Sequence, residues 1–213
     1  MANPFPCLYP ILDSSVIPDR NRAAFLRNLG AALADAGVTL LEYRNKTGSD
    51  AGILADAESL RTAMPSGRVR LILDDRADLV ERVGFDGVHV DAGDISPAEA
   101  RALLGPERIV GAFGGSDTLL PGVLLAPADY LSVGPVFATT TKQTDKLPIG
   151  IAGVKLLRAQ AGPHPVLVAA AGITLETAPA ILAAGANTVA VAAAIFRAAD
   201  PPAEVRRWLA ALH

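Results

Sequence analysis

Short apolar runs alternate with longer amphipathic stretches along the whole chain. The runs predict strands at residues 8–12, 38–43, 69–73, 87–90, 108–113, 130–137, 166–170 and 189–194. Between them lie stretches with helical spacing. Over residues 20–36, Ala24, Leu26, Leu29 and Leu33 share a face, and Gly37 offers a C-terminal cap. Residues 50–64 and 77–83 follow the same pattern, the latter closed by Gly84. Ser96-Pro97-Ala98-Glu99 reads as a capping box with proline in the first turn, opening a helix that ends near Gly105. A weaker helix is predicted over 117–125, across Pro121-Gly122, and a firmer one over 152–161. Thr174 can cap a helix that Gly185 closes, and Asp200-Pro201 opens the last, which carries Val205, Trp208 and Leu209.

The strand runs are apolar throughout rather than alternating. That predicts a parallel sheet covered on both faces. Eight strand-plus-helix units predict a closed (β/α)₈ TIM barrel, a single domain over residues 1–213, with functional groups on the loops after the strands. The competing architecture, a doubly wound open sheet, calls for a glycine-rich turn after an early strand. Asp13-Ser14-Ser15 is not one.

Composition narrows the classes. With 213 residues, 51% of them hydrophobic, the chain can bury one sizeable core. A net charge of −3 gives no basic footprint for nucleic acid. Three histidines and one cysteine, Cys7, leave little for a zinc site, and a lone cysteine fits a reducing, cytoplasmic setting. Residues 1–6 lack the basic segment and apolar core of a signal peptide, and the apolar runs are too broken for a membrane span.

The polar residues that remain collect just after the strands. Glu42, Arg44, Asn45 and Lys46 follow the second, and Asp74, Asp75 and Arg76 the third. Asp91 and Asp94 follow the fourth, Thr139, Thr140, Thr141 and Lys142 the sixth, and Gly172 the seventh. Each has a plain structural reading: Arg44 and Lys46 as solvated loop charges, Asp75 and Asp94 as helix caps, His89 as a packed barrel histidine. Convergence on one predicted rim favours a site. Asp75 and Asp94 offer hard oxygen ligands, too few to cage a metal but enough for Mg²⁺ that takes its other ligands from water and phosphate. Arg44, Lys46 and Lys142 match the charge of a diphosphate. Gly172, with the small Ala192 and Ala193 on strand eight, leaves room for a second phosphate on backbone N–H groups.

These motifs give the chain a family likeness. Arg44-Asn45-Lys46, Asp74-Asp75, Asp86-Gly87-Val88-His89 with Asp94, and above all the stretch from Gly134 to Lys142 resemble thiamine-phosphate synthases. The likeness to the thiazole tautomerases, which share that fold, is looser. It runs from Leu8 almost to the C-terminus. The resemblance implies a (β/α)₈ barrel that joins hydroxymethylpyrimidine diphosphate to a thiazole phosphate and releases pyrophosphate. By the same resemblance Asp75 and Asp94 would ligate Mg²⁺, and Arg44, Lys46 and Lys142 would hold the diphosphate. Glu42, Asp74 and Phe113 would lie near the pyrimidine. Thr139, Thr141, Gly172, Ala192 and Ala193 would surround the thiazole phosphate. A homodimer is also implied.

The departures are specific. Glu42 stands where the family usually has glutamine, and Asp74 where it has asparagine. Gly111-Ala112-Phe113-Gly114-Gly115 replaces a segment with serine and histidine. Asp91-Ala92 replaces Gly-Gln, Ala171 a glycine, and Ala193 a serine. Two alternatives therefore stand beside the synthase: a phospholigand-binding paralogue without turnover or with altered substrates, and a tautomerase-like enzyme.

Overall fold

The computed structural model describes residues 5–139 and 145–212. Eight parallel strands close into a barrel in sequence order: β1 (Leu8–Asp13), β2 (Leu40–Arg44), β3 (Arg70–Asp74), β4 (Gly87–Val90), β5 (Ile109–Gly115), β6 (Tyr130–Val133), β7 (Val166–Ala170) and β8 (Thr188–Val191). β8 pairs with β1 through Leu8–Val189, Tyr9–Ala190 and Pro10–Val191, so neither strand is left as an edge. The helices are α1 (Arg22–Asp35), α2 (Asp50–Ala63), α3 (Val80–Val83), α4 (Pro97–Leu104), α5 (Gly150–Ala161), α6 (Ala178–Ala183), α7 (Ala193–Phe196) and α8 (Pro201–Leu212). Among the described residues no helix is long and apolar enough to cross a membrane.

Side chains alternate across each strand, so every strand feeds two cores. Outward residues such as Leu41, Leu73, Val88, Leu131 and Leu167 pack beneath the helices, together with Trp208 of α8. Inward residues Phe5, Tyr9, Leu40, Ile72, Tyr130, Val168 and Ala190 fill the lower barrel. Both faces are buried, which is why the strands carry continuous apolar runs. Position 111 in the interior must be empty. A Cβ at Gly111 would lie 2.0 Å from Cζ of Tyr130, its register partner on β6.

The amino ends of the strands are tied by a repeated device. Asp86, Asp129 and Asn187 each accept a hydrogen bond from a backbone N–H of the preceding strand: Leu71 (2.7 Å), Val110 (2.7 Å) and Leu167 (2.9 Å). Each is also held by an arginine from a helix: Arg61, Arg101 and Arg158. This end is cross-braced, and the opposite end is left for other work.

Four predicted elements differ. The sixth strand stops at Val133 rather than 137, since Pro135 has no N–H to continue the ladder. Residues 117–125 form no α-helix, only a 3₁₀ turn at Val123–Leu125, because Pro121-Gly122 interrupts the stretch. The eighth strand ends at Val191, and Ala193 to Phe196 turn into α7, as alanine permits either state. Thr174 does not cap the next helix. Thr177 precedes α6, and its hydroxyl turns back to donate to Thr174 O at 3.1 Å. The Ser96–Glu99 capping box forms as predicted.

Candidate active site

Above the apolar interior layer the inward positions turn polar. Glu42, Asp74, His89 and Ser132 are all buried there, on β2, β3, β4 and β6. They line a cavity of about 420 Å³ at the carboxyl ends of the strands. Tyr9 OH donates to Glu42 Oε2 at 2.9 Å, and lies 3.0 Å from Tyr130 OH. The His89 ring stacks on Tyr130 with 5.5 Å between centroids, and Nε2 sits 3.4 Å from Ser132 Oγ. Burial, and then the Asp74 carboxylate, push Glu42 up to about 8. Glu42 therefore keeps its proton at neutral pH and adds no charge to the floor.

Higher at the mouth, charge is dense. Lys46 Nζ pairs with Asp75, lies 3.0 Å from Asp74 Oδ2 and 3.9 Å from Asp91 Oδ2. Arg44 pairs with Asp13 through NH1, and its Nε is 3.6 Å from Asp74 Oδ2. Burial raises Asp74 to about 6 against the pull of Lys46. Asp94 is pushed up by partial burial of its carboxyl and by the Asp75 carboxylate beside it. Its Oδ2 accepts from Asp91 N at 2.7 Å. Asp75 sits in left-handed backbone at φ 63°, and its Oδ1 is buried with no hydrogen-bond partner among the described residues. Such a conformation costs a non-glycine residue roughly 1–3 kcal/mol and an unsatisfied oxygen roughly as much again, so both point to a demand beyond folding.

The cations are aimed from behind. Arg22 of α1 grips Asp56 of α2 with Nε at 2.8 and 2.9 Å and NH2 at 2.7 Å. Asp56 also accepts from Tyr43 OH, which in turn accepts from Asn45 Nδ2 at 2.9 Å. Asn45 Oδ1 then receives Gly48 N at 2.8 Å. Tyr43 points outward on β2 and Arg44 inward, so this buried network fixes the segment that carries Arg44 and Lys46.

On the opposite wall, Phe113, Thr139, Gly172, Ala192 and Ala193 line the same cavity. Gly172 is required by its own chain: a Cβ there would stand 2.6 Å from Ala138 O. Ala171 before it occupies left-handed backbone at φ 74°. The loop after β6 is laced to the end of β7 and the loop beyond it by Val136 N to Ala170 O (2.9 Å) and Phe137 N to Ala171 O (3.1 Å). Lys146 places Nζ 3.6 Å from the centroid of the Phe113 ring, over its face. Among the described residues no three His, Cys, Asp or Glu side chains form a ready metal cage.

The thiamine monophosphate synthase family profile matches residues 8–195. The chain is 39% identical over 208 residues to the thiamine-phosphate synthase of Koribacter versatilis, covering 98% of this chain and 96% of that one. It is 39% identical to the thiamine-phosphate synthase of Agrobacterium fabrum, over 82% of this chain and 81% of the relative. The chain belongs to the thiamine monophosphate synthase family. In fold it superposes on a thiamine phosphate pyrophosphorylase from Pyrococcus furiosus with a TM-score of 0.78, at 24% identity, covering 96% and 94% of the two chains.

Against that family the placement of the expected residues is mixed. Arg44, Lys46, Asp74 and Asp75 meet at one mouth, with Asp94 beside Asp75 and Glu42 below. Arg44 and Lys46 are not the solvated loop charges of the plain reading, and Asp75 caps no helix: Arg76 precedes the 3₁₀ turn at Ala77–Leu79. Thr141 and Lys142 lie outside the described residues. Sequence reasoning missed Tyr9 and Tyr130, which sit inside apolar runs where a hydroxyl leaves no trace in the pattern. It missed Asp13 as the partner of Arg44, and Lys146, which follows the threonine-rich stretch without a motif of its own.

Proposed function

We propose that this chain condenses hydroxymethylpyrimidine diphosphate with a thiazole phosphate, yielding thiamine phosphate and pyrophosphate with the help of Mg²⁺. The observation that carries the reading is the buried Asp75 Oδ1, which lacks a hydrogen-bond partner among the described residues, beside Asp94 and within reach of the Lys46–Asp74 pair. Among the described residues at this mouth, Asp13, Asp74, Asp75, Asp91 and Asp94 outnumber Arg44, Lys46 and Lys146. A diphosphate would be repelled from such a surface unless a cation came with it. Asp75 and Asp94 fit Mg²⁺, as hard oxygen donors that leave most positions to water and phosphate. When bound, Mg²⁺ neutralises charge on the departing diphosphate.

The protein's part is to bind, orient and stabilise. Arg44 and Lys46 hold diphosphate oxygens, leaving Asp13 and Asp75 as they turn toward the ligand. Glu42, Asp74 and Phe113 surround the pyrimidine. Gly172 and the first turn of α7 offer backbone N–H groups to the thiazole phosphate. The bond from the pyrimidine methylene carbon to the diphosphate oxygen breaks, and its electron pair leaves with pyrophosphate. The thiazole nitrogen supplies the pair for the new C–N bond. No proton has to move, so the site needs no general base, and electrostatic stabilisation dominates. The test is pyrophosphate release from purified protein given both substrates and Mg²⁺. Release that requires both substrates is expected; none with either Mg²⁺ or Mn²⁺ would overturn the reading.

A further inference from the structure

Charge is divided unevenly around the cavity. Glu42, Arg44, Asp74 and Asp91 line it from β2, β3 and the loop after β4. Among the described residues, the half built on β5 to β8 and the loops after them contributes no carboxylate and one charged group, Lys146. Lys146 belongs to no motif, and the proposed condensation assigns it no part. Its Nζ stands 3.6 Å from the centroid of Phe113, over the face of the ring. Two other such pairs among the described residues, Arg61 with Phe85 and Arg70 with Phe5, have no member in the cavity.

The backbone holds Lys146 at this wall. Just beyond it, Ile149 N donates to Pro135 O at 2.9 Å and Gly150 N to Val136 O at 2.8 Å. Val136 N in turn donates to Ala170 O at 2.9 Å. The segment bearing Lys146 is thereby tied to the chain that carries Thr139 and Gly172. The Phe113 ring, half-buried on β5, gives the ammonium a seat but no oxygen or nitrogen to accept its protons. At an exposed side chain such as Lys146 that seat is a weak one, whereas an ammonium–phosphate hydrogen bond is charge-assisted and among the strong ones. A phosphate within reach would draw Lys146 off the ring.

Two phosphorylated groups enter the proposed reaction, and the division of charge separates them. The diphosphate can share Mg²⁺ with Asp75 and Asp94, so it tolerates the acidic half. A phosphate monoester that brings no such ion carries a charge of about −1.5 to −2 at pH 7. Carboxylates repel it, and it suits the half that lacks them. Resting on the proposed function, we infer that Lys146 binds the phosphate of the thiazole substrate, leaving the Phe113 ring as that substrate enters. The ring face that the ammonium vacates is then open to the substrate's own ring. Lys146 acts in binding and not in bond making, so its loss falls on KM for one substrate.

The test is steady-state pyrophosphate release by the wild type, Lys146→Met and Lys146→Arg, with each substrate varied in turn. Lys146→Met should raise KM for the thiazole phosphate about tenfold, while kcat and KM for the aminopyrimidine diphosphate stay within about twofold. Lys146→Arg, which keeps the charge, should recover most of the loss. A second measurement needs no turnover: the ε-methylene proton resonances of Lys146 in protein carrying isotope-labelled lysine, assigned through Lys146→Arg. The Phe113 ring current should shift them upfield in the free protein, and Phe113→Leu should abolish that shift. Thiazole phosphate, added with Mg²⁺ and pyrophosphate, should release it, and the thiazole alcohol, which lacks the phosphate, should not. An unchanged KM for the thiazole phosphate in Lys146→Met, or an equal rise for both substrates, overturns the inference and leaves the condensation standing. So does a shift that persists at millimolar thiazole phosphate, or one that the alcohol releases equally. No pyrophosphate release from the wild type overturns the condensation, and the resonance alone then decides whether Lys146 takes the thiazole phosphate.

Discussion

Tyr130 reaches across the barrel because position 111 is glycine. A Cβ at Gly111 would stand 2.0 Å from Tyr130 Cζ and 2.3 Å from its hydroxyl oxygen. With that space open, the Tyr130 ring lies edge-on to Phe5 and Tyr9, at 5.3 and 5.8 Å, and delivers its hydroxyl to Tyr9. One absent side chain on β5 thus sets the hydroxyl contacts that reach Glu42 on β2 through Tyr9.

Gly111→Ala should therefore overpack the interior. A loss of roughly 1–3 kcal/mol in urea denaturation is expected. Gly111→Ala combined with Tyr130→Ala should lose less than the sum of the two single changes, because the clash is with the ring that is removed. Strict additivity would show that Gly111 does not make room for Tyr130.

Asp75→Asn keeps a residue that tolerates left-handed backbone while removing the negative charge. Pyrophosphate release should fall about a hundredfold or more, with the melting temperature nearly unchanged. Near-normal turnover would remove Asp75 from the proposed metal site.

Glu42 makes stability depend on pH in a defined direction. Its ordinary value is 4.5 and the folded protein holds it up to about 8. Below 4.5 both states are protonated. Between 4.5 and 8 the unfolded chain gives up a proton that the folded one keeps, so stability falls as pH rises, by at most about 1.4 kcal/mol per unit. Above 8 the loss is complete. Asp74 acts with the same sign between 3.8 and about 6, so the comparison with Glu42→Gln carries the test. That variant should gain on the wild type progressively from pH 5 to pH 8, by a few kcal/mol in denaturant titrations. Parallel curves would mean that Glu42 is ionised in the folded protein.

Asp56→Ala leaves Arg22 and Tyr43 without their shared acceptor. Because the Arg22 side chain is a quarter exposed, the cost should sit near 2–3 kcal/mol rather than at the top of the range for buried pairs. The network also steadies Asn45 and the segment bearing Arg44 and Lys46. KM for the diphosphate substrate should rise more than kcat falls. Unchanged kinetics in a protein destabilised as expected would confine the network to folding.

The barrel was legible because burial on both strand faces writes continuous apolar runs, and eight of them leave little choice of architecture. Caps were legible where a side chain bonds its own neighbourhood, as at Ser96 and Glu99. Ends of elements were not, where the deciding contact is distant: β6 stops at Val133 while Val136 and Phe137 still bond across to the end of β7 and the loop beyond it. The charged residues announced themselves by position after the strands. What they do to one another did not, since Arg44 finds Asp13 and Lys46 finds Asp75 only when neighbouring strands are in register. The same holds for Glu42. Its letter says anion, and only burial and the Asp74 carboxylate, neither visible in the sequence, push it towards the neutral acid.

The central claim is that carboxylates at the mouth accept a divalent cation so that a diphosphate can dock on Arg44 and Lys46. Titration calorimetry of pyrophosphate into the protein, with and without Mg²⁺, tests it without catalysis. The account predicts binding that requires Mg²⁺ and is lost in Asp75→Asn. Equal affinity with and without Mg²⁺, or unaltered binding in Asp75→Asn, would contradict it.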